Sequence, residues 1–209
     1  MPNRDAEIPV LPLWVDGHAY LTIPPAFGMV RRAGNAEPLR RIPICGRTEI
    51  DRAMQSAADA LADWSATTDD DRRVFLQRLA SLLENYRAHF VALITEESAL
   101  GQKAAAAEVD AVIACLQRPP KGADAGVVVI GSDPMRPFAH VLCQAIAALM
   151  AGGTVVVVTH TEVPSSLFAL AELTGRSDWP RGVFSLLYGD AYTLAMAQQA
   201  GFAGGAGRL

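Results

Sequence analysis

The sequence predicts an α/β protein organised on a Rossmann-like open parallel sheet flanked by helices, and three observations predict it. Val127-Val128-Val129-Ile130 and Thr154 to Val158 are short β-branched runs, the type that fits strands covered on both faces. Between them, Ala139 to Ala151 is long, apolar and rich in Ala, Leu and Met, and Gly152-Gly153 closes it, so it reads as a buried helix with a glycine stop. Strand, crossover helix and strand make one right-handed βαβ unit. Val183 to Leu187 adds a third parallel strand.

The 209 residues suffice for a single compact domain. We divide it into an N-terminal lead-in with short strands over residues 1–47, and a helical layer plus Rossmann-like βαβ domain over 48–209. Apolar residues make up 51% and charged ones 19%, an excess that suggests a surface meant to be covered. A net charge of −4 and a pI near 5.5 give no electrostatic footprint for nucleic acid. No apolar run reaches membrane-spanning length, and MPNRDAEIPV lacks a signal core. Cys45, Cys115 and Cys143 are unpatterned, which argues for a reducing, cytoplasmic setting without a disulfide framework.

In chain order, Pro2, Pro9 and Pro12 oppose regular structure before Leu13-Trp14-Val15 enters a tight turn at Asp16-Gly17-His18, and Ala19 to Ile23 returns. Leu39 to Ile44, punctuated by Pro43, fits a short edge strand. Thr48 is placed to cap a helix whose apolar face is Ile50, Met54, Ala57, Leu61 and Trp64. Thr68 to Asp71 opens the next, with the stripe Phe75, Leu79, Leu82, Leu83, Tyr86 and Phe90 inside and Arg72, Arg73, Arg78, Glu84 and Arg87 outside. The helical pattern continues through Glu97. Gln102 to Gln117 is an alanine-rich helix stopped by Pro119-Pro120. Pro164 to Thr174 is a helix with proline in its first turn and Gly175 beyond its end. Asp190 caps a last helix through Ala200, and GFAGGAGRL reads as a frayed tail.

Several of these signatures, in this order, resemble the N-terminal, cofactor-binding half of the aldehyde dehydrogenase superfamily. They are the helix ending in Trp64, Arg72-Arg73, the Glu97-to-Gly101 corner, Glu108-Val109, Ala148 to Val156 with Gly152-Gly153, Pro164, Pro180-Arg181-Gly182-Val183 and Gly189. The resemblance covers about Leu13 to Gly189 and implies the family's cofactor domain without its catalytic domain. The nucleophilic cysteine and general-base glutamate belong to the family's second half, so no residue here is assigned a catalytic role. Where the family carries Pro-Trp-Asn-Phe-Pro, this sequence has Asp133-Pro134-Met135-Arg136-Pro137, and Met135 offers no amide to an oxyanion. Where the family places Lys-Pro-Ser-Glu on the adenosine ribose, it reads Val158-Thr159-His160-Thr161. The segment from Gln117 to Gly126 is short for the family's paired assembly strands, and the turn after Gly189 lacks a second glycine.

The chemistry-bearing residues point to no reaction. Cys115 and Cys143 sit in apolar helices as core cysteines, and Cys45, at a strand end, is accessible but without a base partner. His18, His89, His140 and His160 show no metal-ligand spacing. Glu96-Glu97 reads as a solvated corner, and Arg72-Arg73 as helix-terminal ion-pair partners. There is no G-x-G-x-x-G after a strand and no P-loop. What remains is the crevice above the strand ends, lined by Gly131, Ser132, Asp133, Thr159, His160, Thr161 and Gly189, with Ser132, Thr159, His160 and Gly189 as its binding candidates. Asp133 would repel a pyrophosphate there. The expectation is a catalytically inactive, non-catalytic subunit or adaptor that needs no cofactor or metal. It would associate with itself, with a full-length dehydrogenase or with another pathway enzyme. The alternatives are the NAD(P)-binding half of a split enzyme and a small-ligand module centred on His160.

Overall fold

A computed structural model describes residues 8–121, 126–133, 135–161 and 163–205. The chain opens with β1 (Leu13–Val15) and β2 (His18–Tyr20), then β3 (Ala26–Arg31) and β4 (Pro38–Ile44). Helices α1 (Arg47–Ala66), α2 (Asp69–Asn85), α3 (Arg87–Glu97) and α4 (Gln102–Gln117) follow. The remainder alternates: β5 (Val127–Gly131), α5 (Ala139–Met150), β6 (Thr154–Thr159), α6 (Pro164–Arg176), β7 (Phe184–Tyr188) and α7 (Ala191–Gly205).

The predicted α/β class holds, with a mixed sheet in the order β2-β1-β7-β6-β5. β5, β6 and β7 run parallel, while Trp14 of β1 pairs antiparallel with Leu186 of β7. The lead-in therefore extends the sheet. Its hairpin turns at Asp16 and Gly17, both at positive φ (56° and 73°), the geometry for which Asp-Gly is favoured. α1 and α7 cover one face, and α5 and α6 the other, with α2, α3 and α4 packed outside them. The layers lock where Trp64 of α1 donates from Nε1 to the Leu149 carbonyl (3.1 Å) and stacks on Trp179 (centroids 6.2 Å apart).

Several expectations are corrected. Gly46, not Thr48, is the N-cap of α1, and the buried Glu49 carboxylate accepts from its N–H at 3.0 Å. The sequence reading had no β3, which forms an antiparallel pair with β4 outside the main sheet. Arg72 is buried rather than outside, because its guanidinium donates to the Trp64 carbonyl (3.1 Å) and finishes the end of α1. Gly175 lies inside α6, where a Cβ would stand 3.1 Å from the Trp14 ring. α7 runs past Ala200 to Gly205, through what reads as a tail.

The cysteines depart most from expectation. Cys115 on α4 and Cys143 on α5 are joined in a disulfide with their Cα atoms 5.8 Å apart, where the sequence reading had two core thiols. Sequence spacing gave no sign of it, since helix packing brings the pair together across 28 residues. Cys45 is buried instead of accessible, and burial pushes its thiol up to about 12, which makes it inert at neutral pH. Among the described residues no helix is long and apolar enough to cross a membrane. The short segment before Gly126 falls partly outside the described residues.

Candidate site at the strand ends

The parallel strands end together. The Ser132 N–H donates to the Val158 carbonyl (3.1 Å) and the Gly189 N–H to the Thr159 carbonyl (2.9 Å), so the loops after β5, β6 and β7 begin at one level. They frame a cleft of about 340 Å³ lined by Ser132, Val158, His160, Gly189, Asp190, Ala191 and Leu194. Ser132, His160 and Gly189 thus stand where topology puts them. Thr159 does not line the cleft. It is 1% exposed and in register with Tyr188, so it points into the layer beneath α5 and α6. Gly131, Asp133 and Thr161 are not lining residues either. Asp133 accepts from the Met135 N–H at 2.8 Å in a local turn, and Met135 is 80% exposed.

The glycines at the strand ends are there for close approach. A Cβ on Gly131 would collide with Leu194, and one on Gly189 with Thr193, because the first turn of α7 crosses directly over both. That approach also brings Asp190, Ala191 and Leu194 into the cleft. Asp190 accepts from the N–H groups of Tyr192 (2.9 Å) and Thr193 (3.0 Å), a side-chain cap. The Thr193 N–H foremost, with Tyr192 and nearby His160, holds its carboxyl below the usual range. His160 is itself engaged, its Nδ1 lying 3.0 Å from the Thr161 hydroxyl.

Helix N-termini at such a crevice ordinarily offer their backbone N–H groups to anions. Here the chain's own carboxylates take all three. Glu108 accepts from the N–H groups of Phe138 (3.2 Å) and Ala139 (2.8 Å) at the start of α5. Glu97 accepts from the Ser165 N–H (3.0 Å) and hydroxyl (2.5 Å) at the start of α6, where Val163 in the left-handed region supplies no side-chain cap. Asp190 serves α7. Glu97 is therefore no solvated corner. It is buried, and Arg40 donates to it at 3.1 Å. Burial is the main influence on its carboxyl and raises it, against the opposing pull of Ser165 and Arg40. Among the described residues no group of three or more His, Cys, Asp or Glu is gathered as a metal would require.

A sheet with helices on both faces and a cleft at its parallel strand ends defines the class of α/β proteins that bind ligands there. Within that class, the aldehyde dehydrogenase family profile matches residues 26–125 and 135–202, and the chain belongs to that family. It is 28% identical over 201 residues to glutarate-semialdehyde dehydrogenase of Pseudomonas aeruginosa, covering 85% of this chain and 40% of that protein. To the NADP(+) succinate-semialdehyde dehydrogenase of Escherichia coli it is 27% identical, covering 78% and 38%. Among solved structures, lactaldehyde dehydrogenase from Escherichia coli superposes with a TM-score of 0.82 at 22% identity, over 95% of this chain and 50% of that one. A Thermus 1-pyrroline-5-carboxylate dehydrogenase with bound NAD gives 0.82 at 18% identity, over 92% and 42%. The chain thus spans about two-fifths of the length of these curated relatives.

Proposed function

We propose that this chain is a non-catalytic subunit of the aldehyde dehydrogenase family that works bound to another polypeptide. One observation carries the reading: among the described residues, those lining the strand-end cleft include Asp190 and no lysine or arginine. A dinucleotide pyrophosphate brings negative charge that needs cations or open helix ends. The cleft supplies neither, since Glu108, Glu97 and Asp190 already hold the N-termini of α5, α6 and α7. The residues present do not fit the cofactor, and we derive no reaction step through it. Calorimetry of the purified chain with NAD and NADP at millimolar concentration is expected to show no binding, and native mass spectrometry to show an assembly larger than one chain. Micromolar binding of either nucleotide, or a monomer in every condition, overturns the reading.

A second reading has one observation in its favour. Asp190 and His160 face a cleft of about 340 Å³ and are suited to hydroxyl groups of a ribose or other polyol. On that reading the chain is the cofactor half of a split enzyme or a small-ligand module. Its signature is binding of NAD or adenosine that His160→Ala abolishes while the circular dichroism spectrum stays unchanged.

A further inference from the structure

Two contacts fasten α5 to α4, and both start from one stripe of α4. Glu108 and Cys115 are two helical turns apart, so they share a face at a separation of roughly 10 Å along the axis. Glu108 reaches the N-terminus of α5, where its carboxylate accepts from the Phe138 and Ala139 N–H groups. Cys115 reaches Cys143, one turn further into α5. Val112, Leu116 and Leu142 are buried beneath the pair.

The first of these contacts has no substitute within α5. Its N-cap is Phe138, which has no side-chain oxygen, and its first turn holds no acidic residue. The first donors of a helix lack an intrahelical acceptor, so these two amides depend on the carboxylate of α4. Glu108 is well placed to serve them. Its side chain is only 12% exposed, and the Arg136 guanidinium stands 3.9 Å away.

The second contact lies where a reagent can meet it. Cys115 and Cys143 are both partly buried, with exposed Ala114 and Gln117 beside the first and exposed Gln144 beside the second. The bond therefore sits at the solvent margin of the α4–α5 seam. Disulfides at such margins are the reducible ones, in contrast to those sealed in a core. The remaining cysteine, Cys45, is buried and unbonded, so no second disulfide holds the seam when this one opens.

We propose that Cys115 and Cys143 form a reversible dithiol–disulfide switch that controls whether Glu108 occupies the N-terminus of α5. The co-reactant is a dithiol. One of its thiolates attacks a sulfur of the pair, forming a mixed disulfide and releasing the other cysteine as thiolate. Its second thiolate then displaces the remaining cysteine and closes the co-reactant's own disulfide. Two electrons pass to the chain, and the released thiolates take protons from water. A disulfide oxidant of the same class runs the exchange backwards. With the bond closed, α4 and α5 cannot separate and the carboxylate stays on both amides. With it open, apolar packing alone holds the seam one turn below, and the first turn of α5 opens more often. The inference does not depend on the partner-dependent reading above.

The test equilibrates the full chain at graded ratios of reduced to oxidised dithiothreitol, counts thiols by alkylation and mass spectrometry, and reads residue-resolved hydrogen exchange at both ends of the series. The thiol count should rise by two and retrace on reoxidation. In the reduced chain the Phe138 and Ala139 amides should exchange about 10-fold faster, with β7 unchanged. Glu108→Ala should give fast exchange at these amides with the bond closed, and reduction should then add less than about twofold. Should that variant unfold, Glu108→Gln, which gives up the charge-assisted bonds, makes the same comparison. A reduction effect that adds in full to the Glu108 variant marks a structural staple and overturns the switch. So does a bond that stays closed at every ratio, a thiol pair that stays open in oxidised dithiothreitol, or reduction that unfolds the sheet with the helix. Reduction that leaves the two amides unchanged overturns the link to Glu108.

Discussion

β5 and β6 are close to interchangeable as sequences, VVVIG against TVVVVT, yet every residue of β6 is buried while the three valines of β5 are not. The difference lies in their neighbours. β6 is paired on both sides, by β5 and β7, and β5, among the described residues, on one side only. A β-branched run says that a strand can be interior, and the strands beside it decide whether it is. The same contrast separates the sheet's anchored half, where Trp64, Trp179 and the capped helices converge, from the half that ends in a bare edge.

What steadies that second half is the disulfide between α4 and α5, the helix lying on β5 and β6. Its removal is the largest expected effect. A cross-link spanning 28 residues restricts the unfolded chain by about 3.5 kcal/mol on the loop-entropy estimate. Cys143→Ser, or reduction with dithiothreitol, should lower the denaturant midpoint accordingly. Accelerated exchange concentrated in α5 and β5, with β7 unaffected, would tie the loss to the edge half. An unchanged midpoint would show that the packing of α4 on α5 suffices without the bond.

Paired substitutions test the contrast directly. Val157→Ala, at 0% exposure in β6, should cost about 2–3 kcal/mol in lost burial and residual cavity. Val128→Ala in β5 should cost about 1 kcal/mol, because water already reaches that side chain. Equal costs by urea unfolding would mean that β5 is already covered in solution.

Much of this frame was legible in the sequence, for a physical reason. Strands buried on both faces favour β-branched runs, and a right-handed crossover needs a long apolar helix, so β5, α5 and β6 were written in residue types. β3 was not, because AFGMVR borders solvent and carries neither alternation nor an apolar run. In the site, the strand-end rule found Ser132, His160 and Gly189 but also chose Thr159, whose direction depends on register with Tyr188. Ala191 and Leu194 were missed because they enter through the tilt of α7, which no local pattern encodes. Glu97 was misread because charge alone does not distinguish a solvated carboxylate from a helix cap. The available signal was the start of α6, where Val163 has no side-chain oxygen to offer the N–H of Ser165.

Two groups beneath the strand ends sharpen the comparison further, because they sit in the anchored half and are imperfectly served. The hydroxyls of Tyr188 and Thr159 are buried without a hydrogen-bond partner among the described residues. Burial, with Glu97 the leading nearby charge, keeps the phenol protonated. Tyr188→Phe removes an unsatisfied polar atom and should raise stability by about 1 kcal/mol. A drop instead would mean that an ordered water bridges the hydroxyl.

The smallest expected effect concerns Glu97, the carboxylate that joins α3 to α6. Its carboxyl is raised, burial being the main cause, so the folded chain holds this proton more tightly than the unfolded chain does. The stability it contributes is full below the ordinary glutamate range near pH 4 and is lost as pH rises through the folded value. Glu97→Gln keeps an oxygen for Ser165 and removes the titration. The stability of the unaltered chain relative to that variant should therefore decline as pH rises above the ordinary glutamate range near 4. A difference that stays level as pH rises would show that Arg40 and Ser165 compensate the buried charge fully. A difference that grows would place the carboxyl below its ordinary range, and its bonds to α6 would then outweigh its burial.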